Sequence, residues 1–139
     1  MRILAISLLV AGLLVPAFAA EDGILNAGFE EGSPGSPPQR WFLPPVSRNA
    51  GFTVEASTEK PYAGKQCALL KYTRGERPRG FGNLMQVVDA EPYRGKRVRL
   101  KGAVRIHGQG IKAQMWMRVD REGGAKGFFD NMGDRPIRT

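Results

Sequence analysis

Apolar and polar residues alternate with a period of two over several short stretches of this chain. The clearest stretch is 96–106, in which apolar residues share one face and basic residues share the other. A period of two is typical of a β-strand with one buried face, whereas an amphipathic helix repeats every 3.6 residues. The pattern therefore predicts a half-buried strand of an antiparallel sheet. Its apolar face consists of Val98, Leu100, Val104 and Ile106.

The stretch 111–120 repeats this alternation and predicts the neighbouring strand. Ile111, Met115 and Val119 lie on its apolar face. The four residues 107–110, with sequence His-Gly-Gln-Gly, separate the two stretches and are typical of a hairpin turn. We therefore expect 96–106 and 111–120 to pair directly.

Shorter runs predict the remaining strands. The stretch 81–88 is apolar on both faces, as in a central strand, and 33–38 carries three prolines, which predicts a loop. No stretch shows a long helical period. Short strands separated by turns indicate an all-β fold, an antiparallel β-sandwich of the jelly-roll type. The other predicted strands are 51–56, 66–72 and 127–130.

The first twenty residues have the pattern of a secretory signal peptide. Arg2 precedes an apolar run over 3–15, and the small residues Ala17 and Ala19 fit a cleavage site. The run is shorter than the roughly 20 residues that span a bilayer. We expect cleavage near residue 19 or 20, one domain over 21–139, a secreted or periplasmic location and no membrane span.

Composition excludes several classes of protein. The chain has 139 residues, which allows one domain. A single cysteine excludes a disulfide framework and a cysteine-rich zinc site, and a single histidine excludes a His-rich metal centre. The sequence contains no Walker loop, nucleophile elbow or H-E-x-x-H helix. We therefore expect a protein that is not an enzyme.

Basic residues concentrate in the second half of the chain. The formal net charge is +8, and residues 71–139 hold 16 basic and 7 acidic residues. Such asymmetry is typical either of a nucleic-acid site or of a solvated basic face. Because an exported chain has little access to nucleic acid, the sequence favours the solvated face and predicts no nucleic-acid partner.

Several ordered segments resemble the galactose-binding-like jelly rolls, which include many carbohydrate-binding modules. The first has the sequence N-A-G-F-E-E-G and is followed by P-Q-R-W. The resemblance covers about 24–137 and is to bacterial extracytoplasmic domains that occur alone or beside peptidase, esterase or regulator domains. It implies a jelly-roll fold and carbohydrate as the ligand class. The segments are 26–32, 38–41, 80–86, 93–100, 115–120 and 129–132.

The end of the chain departs from this group. In domains of this type, further strands follow the segment similar to 130–137, but here the sequence stops at Thr139. We expect the sheet to lack its final strands and to keep an open edge that another protein chain could cover. A shortened gene product, a frameshift and completion by a partner strand all remain open.

The outward face of 111–120 carries a candidate sugar site. An aromatic ring can stack on the C–H face of a sugar while amide and guanidinium groups bond its hydroxyls. Trp116 beside Gln114 and Arg118 has this composition. The alternatives are packing of the tryptophans within the protein and a solvated basic loop. The predicted ligand-binding residues are Trp116, Arg118, Gln114, Trp41, Arg77 and Arg79.

Acidic residues provide a candidate calcium site. Carboxylate oxygens are the ligands that Ca²⁺ prefers, and the resemblance implies a structural calcium held by the N-x-G-F-E region and a late strand. The predicted metal ligands are Glu30, Asp120 and Asp130, and no other cofactor is expected. The alternative is that no cation is bound.

The sequence therefore predicts an exported, non-catalytic binding module with carbohydrate as its ligand. The alternative is a structural or interaction domain with no small-molecule ligand of its own.

Overall fold

The fold is all-β, as the sequence predicts. The computed structural model describes residues 23–75 and 77–139, so the predicted signal peptide lies outside the described residues. One short helix, α1 (Pro45–Asn49), and two 3₁₀ turns at Glu91–Tyr93 and Glu122–Gly124 accompany the strands. The strands are β1 (Phe52–Ser57), β2 (Cys67–Tyr72), β3 (Lys112–Ala113), β4 (Met117–Asp120), β5 (Lys126–Asp130) and β6 (Ile137–Arg138).

The strands form three antiparallel pairs, which are β1 with β2, β3 with β6, and β4 with β5. Two of the pairs join neighbours in the sequence, whereas β3 and β6 are separated by the β4–β5 hairpin. The described residues show these pairs rather than the two packed sheets of a complete jelly roll. No helix among them is long and apolar enough to cross a bilayer.

The β1–β2 pair contains two of the few buried apolar residues. Val54 and Ala56 alternate along β1 and are only 8% and 1% exposed. The rings of Phe52 and Tyr72 face each other across the pair with centroids 5.3 Å apart. Beside them, α1 packs on β1 and buries Ser47. The predicted strands 51–56 and 66–72 are confirmed here, with the period of two matching the burial pattern.

Hydrogen bonds attach the N-terminal loop to this pair. The Gly35 N–H donates to the Ala56 carbonyl, and the Ala56 N–H donates to the Ser36 carbonyl, at 2.8 and 2.7 Å. Further along the loop, the Gln86 side chain donates to the carbonyls of Leu25 and Arg40 and accepts from the Leu25 N–H. The predicted loop over 33–38 is confirmed, and it covers the edge of β1 that β2 leaves free.

Two predicted strands are wrong. The stretch 96–106 forms no strand and does not pair with 111–120. The two strands within 111–120 instead pair with segments further along the chain, since β3 pairs with β6 and β4 pairs with β5. The stretch 81–88 forms a single bridge, Met85 to Phe42, rather than a central strand. The hairpin turn expected at 107–110 is also wrong, because residues 108–110 form bends that join no paired strands.

Few apolar side chains are buried in the described part of the chain. Leu43, Val54 and Ala56 are buried there together with two prolines, whereas Val87 is 80% exposed and Phe81 is 67% exposed. Burial of apolar area is the main favourable contribution to folding. The β1–β2 pair with α1 is therefore the most strongly stabilised region.

Truncation of a side chain in this region should show that dependence. We expect Val54→Ala to lower the free energy of unfolding by about 1–3 kcal/mol, because it removes buried methyl groups and leaves a cavity. Val87→Ala is the matched control and should change it by less than about 0.5 kcal/mol. Urea unfolding followed by circular dichroism measures both, and equal effects of the two variants would contradict this assignment of the core.

Candidate functional site

The protein itself holds the indole of Trp116. Its Nε1–H donates to Asn83 Oδ1 at 2.7 Å, and its ring lies 6.4 Å from that of Phe129 on β5. Gln114, in the link between β3 and β4, is half-buried. Arg118 on β4 forms an ion pair with Asp120 at 2.8 Å. The indole N–H is thus occupied within the chain, as the packing alternative expects.

The other predicted ligand-binding residues lie in separate regions. The Trp41 Nε1–H donates to the Asn26 carbonyl at 3.0 Å, and its ring lies 5.1 Å from that of Phe29, within the N-terminal loop. Arg77 and Arg79 are exposed between β2 and the Met85 bridge. Trp41 and Trp116 therefore bond to different segments, and the structure shows no shared sugar cleft around them in the described residues.

The three predicted metal ligands do not converge. Glu30 Oε1 accepts hydrogen bonds from the backbone N–H groups of Lys65 and Gln66, at 2.9 and 3.2 Å. Along the β4–β5 hairpin, Met117 is opposite Asp130 whereas Asp120 is opposite Lys126, so the two aspartates lie at opposite ends. No cluster of three potential ligands occurs in residues 23–75 and 77–139. These residues, as placed, do not fit one calcium site.

Arg135 is the partner of Asp130. The Arg135 guanidinium donates to the Asp130 carboxylate and to Asp134 Oδ1, and the Met132 N–H also donates to Asp130 at 2.9 Å. The hydrogen bond from Arg135, followed by that from Met132, holds the pKa of Asp130 below its usual range. The Asp130 carboxylate therefore stabilises the turn after β5 through these hydrogen bonds.

The largest concentration of charge is the basic segment, residues 94–105. It holds six basic residues and no acidic residue, and all six side chains are exposed. Arg94 pairs with Glu91 and Glu122, and Arg105 donates to the Glu59 carbonyl at 3.0 Å. The other four form no ion pair with any residue that the structure describes. They are Lys96, Arg97, Arg99 and Lys101.

A shallow, open cleft lies at the end of the basic segment. It is lined by Tyr62 from the β1–β2 connection and by residues 101–104 of the segment. Neither Tyr62 nor this cleft is evident from the sequence, because Tyr62 follows Pro61 in a connection without alternation. The exposed ring became evident only when the structure placed it beside Lys101.

Comparison with known proteins gives one informative match. The chain is 36% identical over 86 residues to a Bacillus subtilis (strain 168) protein named "Uncharacterized HTH-type transcriptional regulator YbfP". The match covers 62% of this chain and 29% of the relative, so this chain spans less than a third of that protein's length. No family model matches the chain, and no solved structure matches it.

This relative overturns the function expected from the sequence. It is named a transcriptional regulator, which points to regulation at DNA and away from an exported module that binds glycans. The prediction of carbohydrate as partner, with nucleic acid excluded, is therefore wrong. The exclusion of nucleic acid rested on the predicted leader over 1–20, because an expected export favoured a solvated face as the explanation of the basic charge.

Most of the matched residues lie in the part of the chain that the structure describes, because only residues 1–22 and 76 fall outside it. A helix-turn-helix needs two helices joined by a short turn. Within the described ranges the longest helix is α1, with five residues. The described part of this chain therefore contains no helix-turn-helix.

The Asp130–Arg135 contact gives a direct electrostatic test. We expect Arg135→Gln to move the pKa of Asp130 upward, toward its usual range, because the largest cause of its lowering is removed. A lowered folded-state pKa stabilises the fold above the unfolded-state pKa, and that contribution is lost as pH falls through the folded-state pKa. NMR titration of the carboxyl carbon measures this shift. Arg138→Gln is the control, and an unchanged Asp130 midpoint in Arg135→Gln would contradict the assignment.

Proposed function

We propose that this chain is a β-rich domain that functions in transcriptional regulation and contacts nucleic-acid phosphates through the basic segment. The observation that carries the proposal is the row of four exposed cations without ion-pair partners in the described structure. The relative named as a transcriptional regulator supports the choice of nucleic acid as the polyanion.

The charge of the segment suits phosphate contact. Each cation that neutralises a phosphate releases a condensed counterion, which favours binding at low salt. Lys96, Arg97, Arg99 and Lys101 can do this without first breaking an ion pair to any residue in the described ranges. Arg94 is less available because Glu91 and Glu122 already share its charge.

The proposed contact positions the domain rather than reading a sequence. Base-specific readout in the major groove uses a helix or a two-stranded ribbon that reaches base edges, whereas phosphate contacts carry no sequence information directly. The basic segment has neither a helix nor a paired strand. We therefore propose that base reading is left to another part of a regulator and that this domain adds affinity.

We also propose a fold, a non-catalytic role and a location for this domain. The strand pairs are part of a jelly-roll sandwich, which the all-β structure and the resemblance support. The chain is not a catalyst, which is consistent with a relative named as a regulator. The predicted leader over 1–20 would separate the domain from DNA if it directed export, so we propose that the domain acts where nucleic acid is present.

Salt dependence tests the phosphate contacts. We expect binding of the full chain to a labelled DNA duplex to weaken steeply between about 50 and 200 mM salt, with a log–log slope of about −3 to −4 for four contacts. Arg97→Gln with Arg99→Gln should make the slope shallower by about 2. Fluorescence anisotropy measures both values.

A charge-matched control separates a site from net charge. Arg48→Gln with Lys65→Gln removes the same charge from exposed positions outside the segment. This control should leave the slope within about 0.5 of that of the unmodified chain. Equal losses in the two double variants would show that overall charge, and not the segment, binds DNA. Absence of duplex and single-strand binding at low salt would contradict the proposal.

The location of the chain provides an independent test. We expect the expressed full chain to remain with the nucleic-acid-containing fraction of its host. Fractionation followed by mass spectrometry of the N-terminus measures this. A chain recovered from the periplasm or medium, and starting near residue 20 or 21, would contradict a role at DNA and confirm the leader predicted from the sequence.

A further inference from the structure

We infer that the cleft between Tyr62 and Lys101 holds an unpaired nucleobase, so that the nucleic acid bound by this chain is single-stranded at the contact. The inference rests on the proposed function and deepens it by naming the form of the ligand. It is carried by the exposure of Tyr62 and by the position of its ring next to the basic segment.

Tyr62 is exposed to an unusual extent for a large aromatic residue. It is 89% exposed, and its ring makes no aromatic pair of the kind that Phe52 and Tyr72 make in the described structure. An aromatic face in water beside positive charge provides a stacking surface for a base, because every base has a π-face. The Tyr62 ring is not part of the β1–β2 core, so it is available for a ligand.

Small residues form part of the cleft lining opposite Tyr62. Gly102 and Ala103 contribute almost no side chain there, and Val104 adds an apolar surface. Behind Gly102 lies the Met115 side chain, since a Cβ at position 102 would be 3.0 Å from Met115 Sδ. The small residues therefore leave room for a flat group beside the Tyr62 ring, with Met115 supporting the wall.

A hydrogen bond connects the two segments that line the cleft. Arg105 Nη2 donates to the carbonyl of Glu59, which lies three residues before Tyr62. This bond ties the connection that carries Tyr62 to the end of the basic segment. The stacking ring and the Lys101 ammonium therefore belong to one local arrangement, which holds an aromatic face and a phosphate-binding cation together.

The positive charge beside the cleft favours a negatively charged, single-stranded nucleic acid as its ligand. Lys101 in the cleft, with Arg99 and Arg97 before it in the segment, suits a chain of phosphates, while Tyr62 suits a base that has left its stack. A base within a duplex is already stacked and paired, so it cannot lie against Tyr62 without being extruded. A single strand presents base and phosphate together.

The test compares single strand with duplex. The probes are a labelled oligothymidylate of about twelve nucleotides, the matching oligouridylate, and a duplex of equal length, within the roughly 4–16 nucleotides that such sites cover. We expect the full chain to bind at least one single strand more tightly than the duplex. The preference between thymidylate and uridylate identifies DNA or RNA as the source of the strand.

Substitution of the ring isolates stacking from charge. Tyr62→Ala should weaken single-strand binding by about 5- to 100-fold with an unchanged salt slope, and Tyr62→Phe should keep it within about twofold. Lys101→Gln should instead make the slope shallower by about 0.7. Phe81→Ala is the matched control, because Phe81 is an exposed aromatic next to Gly82, which contacts Phe52 at the opposite end of β1. Thermal unfolding should be the same for Tyr62→Ala and the unmodified chain.

The outcomes separate this inference from the proposed function. Duplex binding that depends on Arg97 and Arg99, with Tyr62→Ala binding single strands normally, would overturn the cleft assignment and leave the proposed function standing. Heparin binding that matches single-strand binding in affinity, with no effect of Tyr62→Ala, would also overturn it. Absence of binding to all nucleic-acid probes would overturn both.

Discussion

The antiparallel pairing of β1 with β2 is the interaction on which the rest of the structure depends. It buries Val54 and Ala56 and gives α1 a surface on which to pack. Its free edge receives the backbone of 33–38, so main-chain hydrogen bonds attach the N-terminal loop to the pair. The Glu30 carboxylate adds a further tie by accepting from the N–H groups just before β2, where a charged acceptor makes stronger hydrogen bonds than a neutral one. Polar contacts thus position a loop that the small core cannot hold alone.

The sequence predicts the strands whose partners are close along the chain. β1 follows from alternation, and β2 and β5 follow from short runs bounded by turn signals, because each of the three has its partner across a short connection. The same alternation is clear over 96–106, yet no strand forms there. Alternation reports that one face is apolar, but it does not report which backbone supplies the hydrogen bonds. That choice is made by the tertiary structure, as the pairing of β3 with the distant β6 shows. The predicted boundaries fail where pairing is long-range.

The candidate site shows the same limit for side chains. The sequence identified Trp116 as an aromatic residue on a polar face, which is correct as a pattern. It could not show that Asn83, 33 residues earlier, accepts the indole hydrogen bond. The acidic residues offered a set of calcium ligands by type, but the hairpin register separates Asp120 from Asp130 and arginines engage both. Tyr62 was missed for the opposite reason, since its importance comes from a neighbour about forty residues away and not from local periodicity.

Because the basic segment is little buried, its conformation should become more ordered when it binds a polyanion. Val98 and Val104 are both more than two-fifths exposed, and the segment has no strand partner in the described structure. Its conformation is therefore held by few contacts, and fixing a residue's backbone costs about 1–2 kcal/mol. A polyanion that bridges several cations would order the segment and would offset this cost from its own binding free energy. Binding to the folded form then raises the apparent stability of the segment by mass action, so affinity and local order rise together. The same exposure that makes the segment a poor strand makes it an adaptable surface for phosphate.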